Sequence, residues 1–593
     1  MQRPGGTGIG DGNGPKRAAL GDGLAIRSAR NPAQGWAGHA DALHHAIVRY
    51  ASGSARVRLD LALKAIADGK FDVAIGRGRE ALKLDPRCSI AWRLIALAHE
   101  GQGDGAAALD AYQSAYAIDP GSTEILTDLG RLAVSLGLSQ VAVELFARAL
   151  AAQPGSTLLA TQLSMALRDG HEYGLAISVM RDAILIDPRN AHLWNALATV
   201  LLQQGDTGNA LTMVEEALSL SSGWTEALYN RAIARLELGD LDGAKADCDA
   251  ASPRAKAAEK PAIHFVRAQV RLAAGDLAAG WTDYSARLHP SFAKAPAFDL
   301  PGRPWRTPDR LDGARLLVAG EQGLGDEMMF ASMIPDLLSA LGPAGRLVLA
   351  VAPRLTALFQ RSFPLAEVHA HEMRDVNGRA TVSAPGVANV ELWAPMGALA
   401  RRFRAATGAF DGQAAYLLPA PDAAARWKAT LDGLGPLPKV GLAWKSKKTH
   451  GHRLKQYAPF ADWAPVLQTP GLSFVNLQYG DCDEELAAAR ALGVEIWSPP
   501  GLDLTNDIDG AAALSSVVDL VIGVGNASTN LAAATGTPTW FVCGPAAWPT
   551  LGTGRHPWFP TTRVFAATRF GEWAPVMQAV VGELAQTYAG LSA

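Results

Sequence analysis

Residues Leu316–Pro335 read LLVAGEQGLGDEMMFASMIP. The apolar opening, Leu316 to Ala319, has the length and composition of a strand buried on both faces. The run breaks at Gly320, Gly323 and Gly325, and an apolar-periodic segment follows that reads as a helix. Strand, glycine turn and helix N-terminus in that order is how α/β proteins build a ligand site. The turn also carries two carboxylates, Glu321 and Asp326, where a reacting group could meet them. A plain strand-to-helix loop with acids near the helix start would use the same residue types.

Outward from this stretch, apolar runs alternate with helical segments. Strands are expected at 315–319, 347–352, 366–370 and 389–393, and helices at 326–341 and 354–361. A second block holds strands at 439–444, 473–478, 494–497, 519–524 and 538–543. Its helices are expected at 457–468, 483–491, 508–517 and 527–535, and a last helix near 573–588 is expected to return to the first block. Two such blocks imply two doubly wound domains facing one another, 313–435 and 436–593, with the site at the carboxyl ends of the strands.

Before the glycine turn the chain is a helical repeat. Pro86, Pro120, Pro154 and Pro188 stand 34 residues apart. Ala74, Ala108, Ala142 and Ala176 precede them by twelve positions, and Ala81, Ala115, Ala149 and Ala183 by five. Gly69, Gly103 and Gly137 mark turns between paired helices, and later units keep the phase through Gly205, Gly239 and Gly275. The pattern resembles the tetratricopeptide repeat. Seven helix pairs are expected within 41–290, forming an α-solenoid whose concave groove binds protein segments and which folds as a fragment by itself. Residues 1–40 read as a disordered tail, and the proline-rich 291–312 as a linker.

At 593 residues, several domains are required. A net charge of −3 gives no reason to expect nucleic acid or an anionic membrane as partner. No run of about 18 uncharged apolar residues exists, and the first residues lack a signal-peptide core. Four scattered cysteines, Cys88, Cys248, Cys482 and Cys543, read as reduced thiols of a cytoplasmic protein. No metal-ligand spacing and no Walker motif occur, so no metal and no bound cofactor are expected.

Two more loops should reach the cleft. From Lys445 to Lys455, seven of eleven residues are basic or histidine, among them Lys445, Lys447, Lys448 and His450. Positive charge there suits a phosphate leaving group, on which charge builds in the transition state. The third loop, GVGNASTNLAAATGTP from Gly523 to Pro538, ends a strand and opens a helix. Asn526 or Ser528 can cap that helix, and Thr529 and Asn530 lie at its start, where backbone N–H groups favour an anion.

The segments EQGLGDE (321–327), GLAW (441–444), LDLTNDIDGAAALSSVVDLVIGV (502–524), NLAAATGTP (530–538) and HPWFPTTRVF (556–565) together resemble the heptosyltransferase-like branch of the GT-B glycosyltransferases. The layout of repeats plus catalytic half is similar to the flagellin glycosyltransferases of alphaproteobacteria. That resemblance implies a metal-independent transfer of a sugar onto Ser or Thr of an acceptor protein such as flagellin, held by the repeats. The donor would be a nucleotide-sugar co-substrate such as CMP-linked pseudaminic acid. It implies Asp326 as general base with Glu321 beside it. Gly323, Gly325, Lys445, Lys447, Lys448, His450, Asn526, Ser528, Thr529 and Asn530 would hold the donor. The family's Asp-Thr-Ser-Val-Ala-His stands here as Gly525 to Asn530, with the Asp and His replaced. A lipid or polysaccharide acceptor, or a non-catalytic scaffold with a degenerate transferase half, remain open alternatives.

Overall fold

A computed structural model describes residues 43–48, 51, 53–293, 295–306, 309–376, 378–410, 415–446 and 456–589. The chain divides into two compact units, one reaching Gln204 and the other running from Gly205 onward.

The first unit is antiparallel helix pairs, from Gly53–Ala67 and Phe71–Leu84 to Ala191–Gln204. The alanines picked out by the 34-residue period are its contact points: Ala74, Ala108, Ala142 and Ala176 are fully buried. Gly130 shows the tolerance, since a Cβ there would stand 2.7 Å from the Phe146 ring. The turn glycines Gly69, Gly103 and Gly137 all have left-handed φ, at 72°, 81° and 76°. The matching position of the next unit is His171, which keeps the left-handed turn at φ 67° and holds Tyr173 through its ring nitrogen at 3.0 Å.

The second unit opens with five more repeat helices, Thr207–Leu220, Thr225–Glu237, Leu241–Ala251, Lys260–Ala273 and Leu277–Tyr284, closed by a 3-10 turn at Ser285–Leu288. Fourteen helices run from Gly53 to Tyr284, nine in the first unit and five in the second, as many as the expected seven pairs would need. Two parallel sheets follow. The first comprises β2 (Arg303–Pro304), β3 (Arg315–Ala319), β4 (Arg346–Val351), β5 (Ala366–Ala370) and β8 (Leu392–Pro395), ordered β2-β8-β3-β4-β5. The second comprises β9 (Lys439–Ala443), β10 (Ser473–Asn476), β11 (Ile496–Trp497), β12 (Leu520–Val524), β13 (Thr539–Cys543) and β14 (Thr562–Ala566), ordered β11-β10-β9-β12-β13-β14. Counted within its block, that order is third, second, first, fourth, fifth, sixth, the doubly wound order of dinucleotide-binding folds. Each sheet therefore has a switch point, between β3 and β8 in one and between β9 and β12 in the other. A small sheet of β1 (Ala297–Asp299), β7 (Arg379–Ser383) and β6 (Glu372–Val376) flanks the first.

Several expectations are corrected. The helix expected over 326–341 is three pieces, Leu324–Phe330, a 3-10 turn Ala331–Met333, and Ile334–Leu341, because Pro335 has no N–H to continue it. The strand expected at 389–393 starts only at Leu392, since Asn389 is left-handed at φ 56°. Residues 291–312 contain β1 and β2, each paired into a sheet. The last helix, Trp573–Thr587, packs on the second sheet, in the core of Trp463, Val542 and Phe565, and not on the first.

The repeat end is not separable at 290 either. Ala268, Leu272, Leu277, Trp281 and Tyr284 share one core with Met328 and Phe330 of the first block and with Leu531, Phe541 and Leu551 of the second. Trp281 is 2% exposed, donates its indole N–H to the Arg404 carbonyl at 2.7 Å, and lies edge-on to Trp548 and Trp558. A chain ended at 290 would leave that surface in water. Trp281→Ala should cost about 3–5 kcal/mol through lost burial and the cavity left behind. Denaturant unfolding of the full chain followed by fluorescence checks this; a loss under about 1 kcal/mol would mean that the repeat end is not part of that core.

Candidate functional site

The glycine turn leaves β3 at Ala319. Gly320 is required by close approach, because a Cβ there would lie 2.4 Å from the carboxyl carbon of Glu327. Glu327 is 2% exposed and accepts hydrogen bonds from the Ala352 N–H at 2.9 Å and from the His371 ring at 3.2 Å. It ties together the carboxyl ends of β3, β4 and β5, so it is a strut. Glu321 is also buried and accepts from the Arg287 guanidinium at 2.7 Å. Asp326 sits half-buried in the first turn of the helix Leu324–Phe330, which is capped by Gly323.

Across from it, β9 ends at Ala443. The backbone N–H groups of Trp444 and Lys445 both donate to the side-chain oxygen of Gln478, at 3.0 and 2.9 Å. Asn476 in turn accepts from the Gln478 N–H at 2.9 Å and donates to Ser498 at 3.1 Å. Gln478 and Asn476 are 2% and 5% exposed. These amides, which the sequence reading did not single out, run across the strand ends and hold the start of the basic loop. Polar residues ending a buried strand were the available signal. Lys445 pairs with Glu485, so its ammonium already has a carboxylate partner. Lys447, Lys448 and His450 lie outside the described residues.

After β12, Gly525 is exposed, and among the described residues nothing lies within 4 Å of where a Cβ would be. Asn526 caps the helix Ala527–Ala534 by accepting from the Thr529 N–H at 3.0 Å. Its amide donates to the Lys445 carbonyl at 3.0 Å, which joins the two loops of the switch point. Thr529 is fully buried and gives its hydroxyl to Asn526 at 3.1 Å. Asn530 donates to the Gly325 carbonyl at 2.9 Å. Gly325, Lys445, Asn526 and Asn530 are thus brought into one network spanning both sheets, with Asp326 next to Gly325 in sequence. Ser528 is half-buried in the first turn of its helix. Among the described residues no cluster of His, Cys, Asp and Glu could hold a metal ion, and no helix is long and apolar enough to cross a membrane. Burial pushes the Cys248 and Cys543 thiols up to about 12, which makes them poor nucleophiles.

A repeat solenoid continued by two parallel sheets defines the class: a tetratricopeptide-repeat protein with an α/β half. Profiles described as Tetratricopeptide repeat match residues 59–123, 161–223 and 195–259, and also 99–163. The chain is 42% identical over 512 residues to Protein FlbA of Caulobacter vibrioides, covering 85% of this chain and 86% of that one, and it belongs to that protein's family. Among solved structures, PilW, a type IV pilus biogenesis factor, is 21% identical with a TM-score of 0.32, covering 35% of this chain and 97% of its own. A tetratricopeptide repeat protein from Parabacteroides merdae is 15% identical with a TM-score of 0.35, covering 39% of this chain and 91% of its own.

The loop after β13 carries a titration handle. His556 is 6% exposed and lies between Phe541 and Phe559, with ring centroids 4.5 and 4.9 Å away. Burial pulls its pKa down to about 3. An unfolded chain protonates this imidazole near pH 6.5, while the folded chain resists down to about 3. Its contribution to stability is therefore whole above pH 6.5 and is lost as pH falls through that window, by up to about 1.4 kcal/mol per unit. Against His556→Phe, which cannot titrate, the wild type should lose ground at that rate between pH 6.5 and 5. Urea unfolding of both proteins at several pH values measures it, and a difference that stays constant with pH would refute the argument.

Proposed function

We propose that this chain is a glycosyltransferase of the GT-B class that moves a sugar from a nucleotide-sugar onto Ser or Thr of an acceptor protein. The donor is of the CMP-nonulosonic acid type, pseudaminic acid being an example. The acceptor is a protein such as flagellin, held by the repeats. The observation that carries this reading is the meeting of two doubly wound sheets through the helices Leu324–Phe330 and Ala527–Ala534, with the half-buried carboxylate of Asp326 on the first of them. Ligands of such sheets bind outside the strand ends at the switch point, and the space beside Gly525 lies there.

In this reading Asp326 accepts the proton of the acceptor hydroxyl as its oxygen bonds to the anomeric carbon. The bond from that carbon to the donor phosphate oxygen breaks with its electron pair, and the phosphate departs with the nucleotide. The first backbone N–H groups of the helix Ala527–Ala534 and the loop of Lys445, Lys447, Lys448 and His450 stabilise the charge on it. Asn526 and Thr529 act as the frame for those N–H groups, since their own polar atoms are engaged. Gly323 and Gly325 keep the backbone close. A non-catalytic scaffold is the second reading, favoured by Gly525 and Asn530 at the positions of the family's Asp and His.

Asp326→Asn separates the two. A positioned general base contributes about 10²- to 10⁴-fold, so transfer from a CMP-sugar should fall at least 100-fold while CMP binding is kept. Mass spectrometry of acceptor co-produced with the variant reads glycan occupancy. Full occupancy would remove Asp326 from the role, and no transfer by the wild type would favour the scaffold.

A further inference from the structure

At the first sheet's switch point the chain leaves β3 through Gly320 and β8 through Met396, and the crevice between such strands is where α/β sheets take ligands. Here side chains from the repeats fill it. Arg287, 6% exposed, reaches the Glu321 carboxylate at 2.7 Å, donates to the Tyr284 carbonyl at 3.2 Å, and lies with its guanidinium carbon 4.3 Å from the centre of the Tyr284 ring. Tyr284, 4% exposed, meets the Gln322 amide with its hydroxyl, accepting at 2.8 Å and donating at 3.1 Å. Gly397, just past β8, makes room for this group. A Cβ there would stand 2.9 Å from Arg287 Nη2, 3.0 Å from Glu321 Oε1 and 3.1 Å from Gln322 Nε2.

We propose that Tyr284 and Arg287 are positioning residues of the catalytic site: the end of the last repeat closes the crevice between β3 and β8 and fixes the glycine turn that carries Asp326. The proposal rests on the transferase reading for its kinetic consequence but not for its structural one. A turn holding glycines at 320, 323 and 325 has little stiffness of its own. Two consecutive residues of it, Glu321 and Gln322, are anchored on one short segment, Tyr284–Arg287. Asp326 follows within two helical residues of Leu324, so the anchoring sets where its carboxylate stands. The pairing also neutralises Glu321, which leaves Asp326 to act as the base. Burial raises the Tyr284 phenol; Arg287 pulls it down, and the charges of Asp326 and Glu321 push it up, which places Asp326 within electrostatic reach of the repeat residue.

The test uses the full chain with Arg287→Met, Arg287→Lys, Tyr284→Phe and Gly397→Ala. Hydrogen–deuterium exchange of the 320–327 amides should speed up at least tenfold in Arg287→Met, Tyr284→Phe and Gly397→Ala, and stay near wild type in Arg287→Lys, which restores the charge. Tyr284→Phe keeps the ring and loses only the hydroxyl, so it reports even where a charge-removing variant fails to fold. In sugar transfer, kcat should drop about 10- to 100-fold for Arg287→Met with KM for donor and acceptor unchanged, as misplacement of a base predicts, and Arg287→Lys should recover most of it. Unchanged exchange in 320–327, or a loss appearing only in the acceptor KM, overturns the proposal. A wild type that transfers no sugar refutes the transferase reading, while the exchange result still decides this one.

Discussion

Gly325 has no side chain at the place where the helix Leu324–Phe330 meets the helix Ala527–Ala534. A Cβ there would come within 3.2 Å of the Asn530 amide and 3.5 Å of Ala527 Cα. That closeness lets Asn530 donate to the Gly325 carbonyl and fixes the separation of the two strand-end faces. Other bonds between the blocks agree with it. Arg361 pairs with Asp509, and the Tyr416 and Leu417 N–H groups both reach the Ala534 carbonyl, while the Tyr416 hydroxyl ties back to the Met328 carbonyl of its own block at 2.9 Å. Two-domain α/β enzymes commonly close around ligand by hinge motion. Here any such motion would have to break a half-buried backbone-to-amide contact at the centre of the site.

The elements legible in the sequence were those whose burial is uniform. β3, β9 and β12 are buried along nearly their whole length, so each reads as an unbroken apolar run. The repeats were legible because the interhelical contacts demand alanine at fixed positions. What escaped was decided by partners far along the chain. β14, with its exposed Arg563 and Ala566, looks polar by itself and becomes a strand because β13 offers a free edge. β1 and β2 are three and two residues long, too short for any period, and exist through pairing with β7 and β8. The antiparallel β6–β7 pair has its local mark in Gly378, left-handed at φ 78°.

The candidate site followed the same rule. Its residue positions were legible from glycines at strand ends, but the engagement of their side chains was not. Glu321 belongs to Arg287, Lys445 to Glu485, and the Thr529 hydroxyl to Asn526. Each partner lies 34, 40 or 3 residues away, and only the last separation falls within a local pattern. Arg287 and Tyr284 carry no mark of a site at all, since within a repeat an arginine and a tyrosine read as surface and filler. Repeat arrays need their last unit capped, because its outer face has no neighbour to cover it. Trp281, Leu277 and Tyr284 show how that need is met here: the α/β core is the cap. A capping surface that must be apolar at Trp281 and polar at Arg287 was shaped by both halves at once.

The two amides Asn526 and Asn530, at the start of the helix Ala527–Ala534, fit this picture. Asn526 gives its oxygen to the Thr529 N–H and its nitrogen to the Lys445 carbonyl. A carboxylate could accept from Thr529 but could not donate to Lys445, so the tie between the two loops of the second switch point needs an amide. Asn530 donates to Gly325 at 2.9 Å, a contact that a neutral or charged imidazole could copy only with a longer reach into a space a glycine has just opened. In this chain both positions therefore hold backbone rather than ligand. The glycine at 525 brings no charge of its own, so an anion there would meet no repulsion from that residue, an effect worth more where water is scarce. Gly525 and the two amides are thus physically compatible with an anion at the exposed side of Gly525, held by helix N–H groups that Asn526 keeps in place.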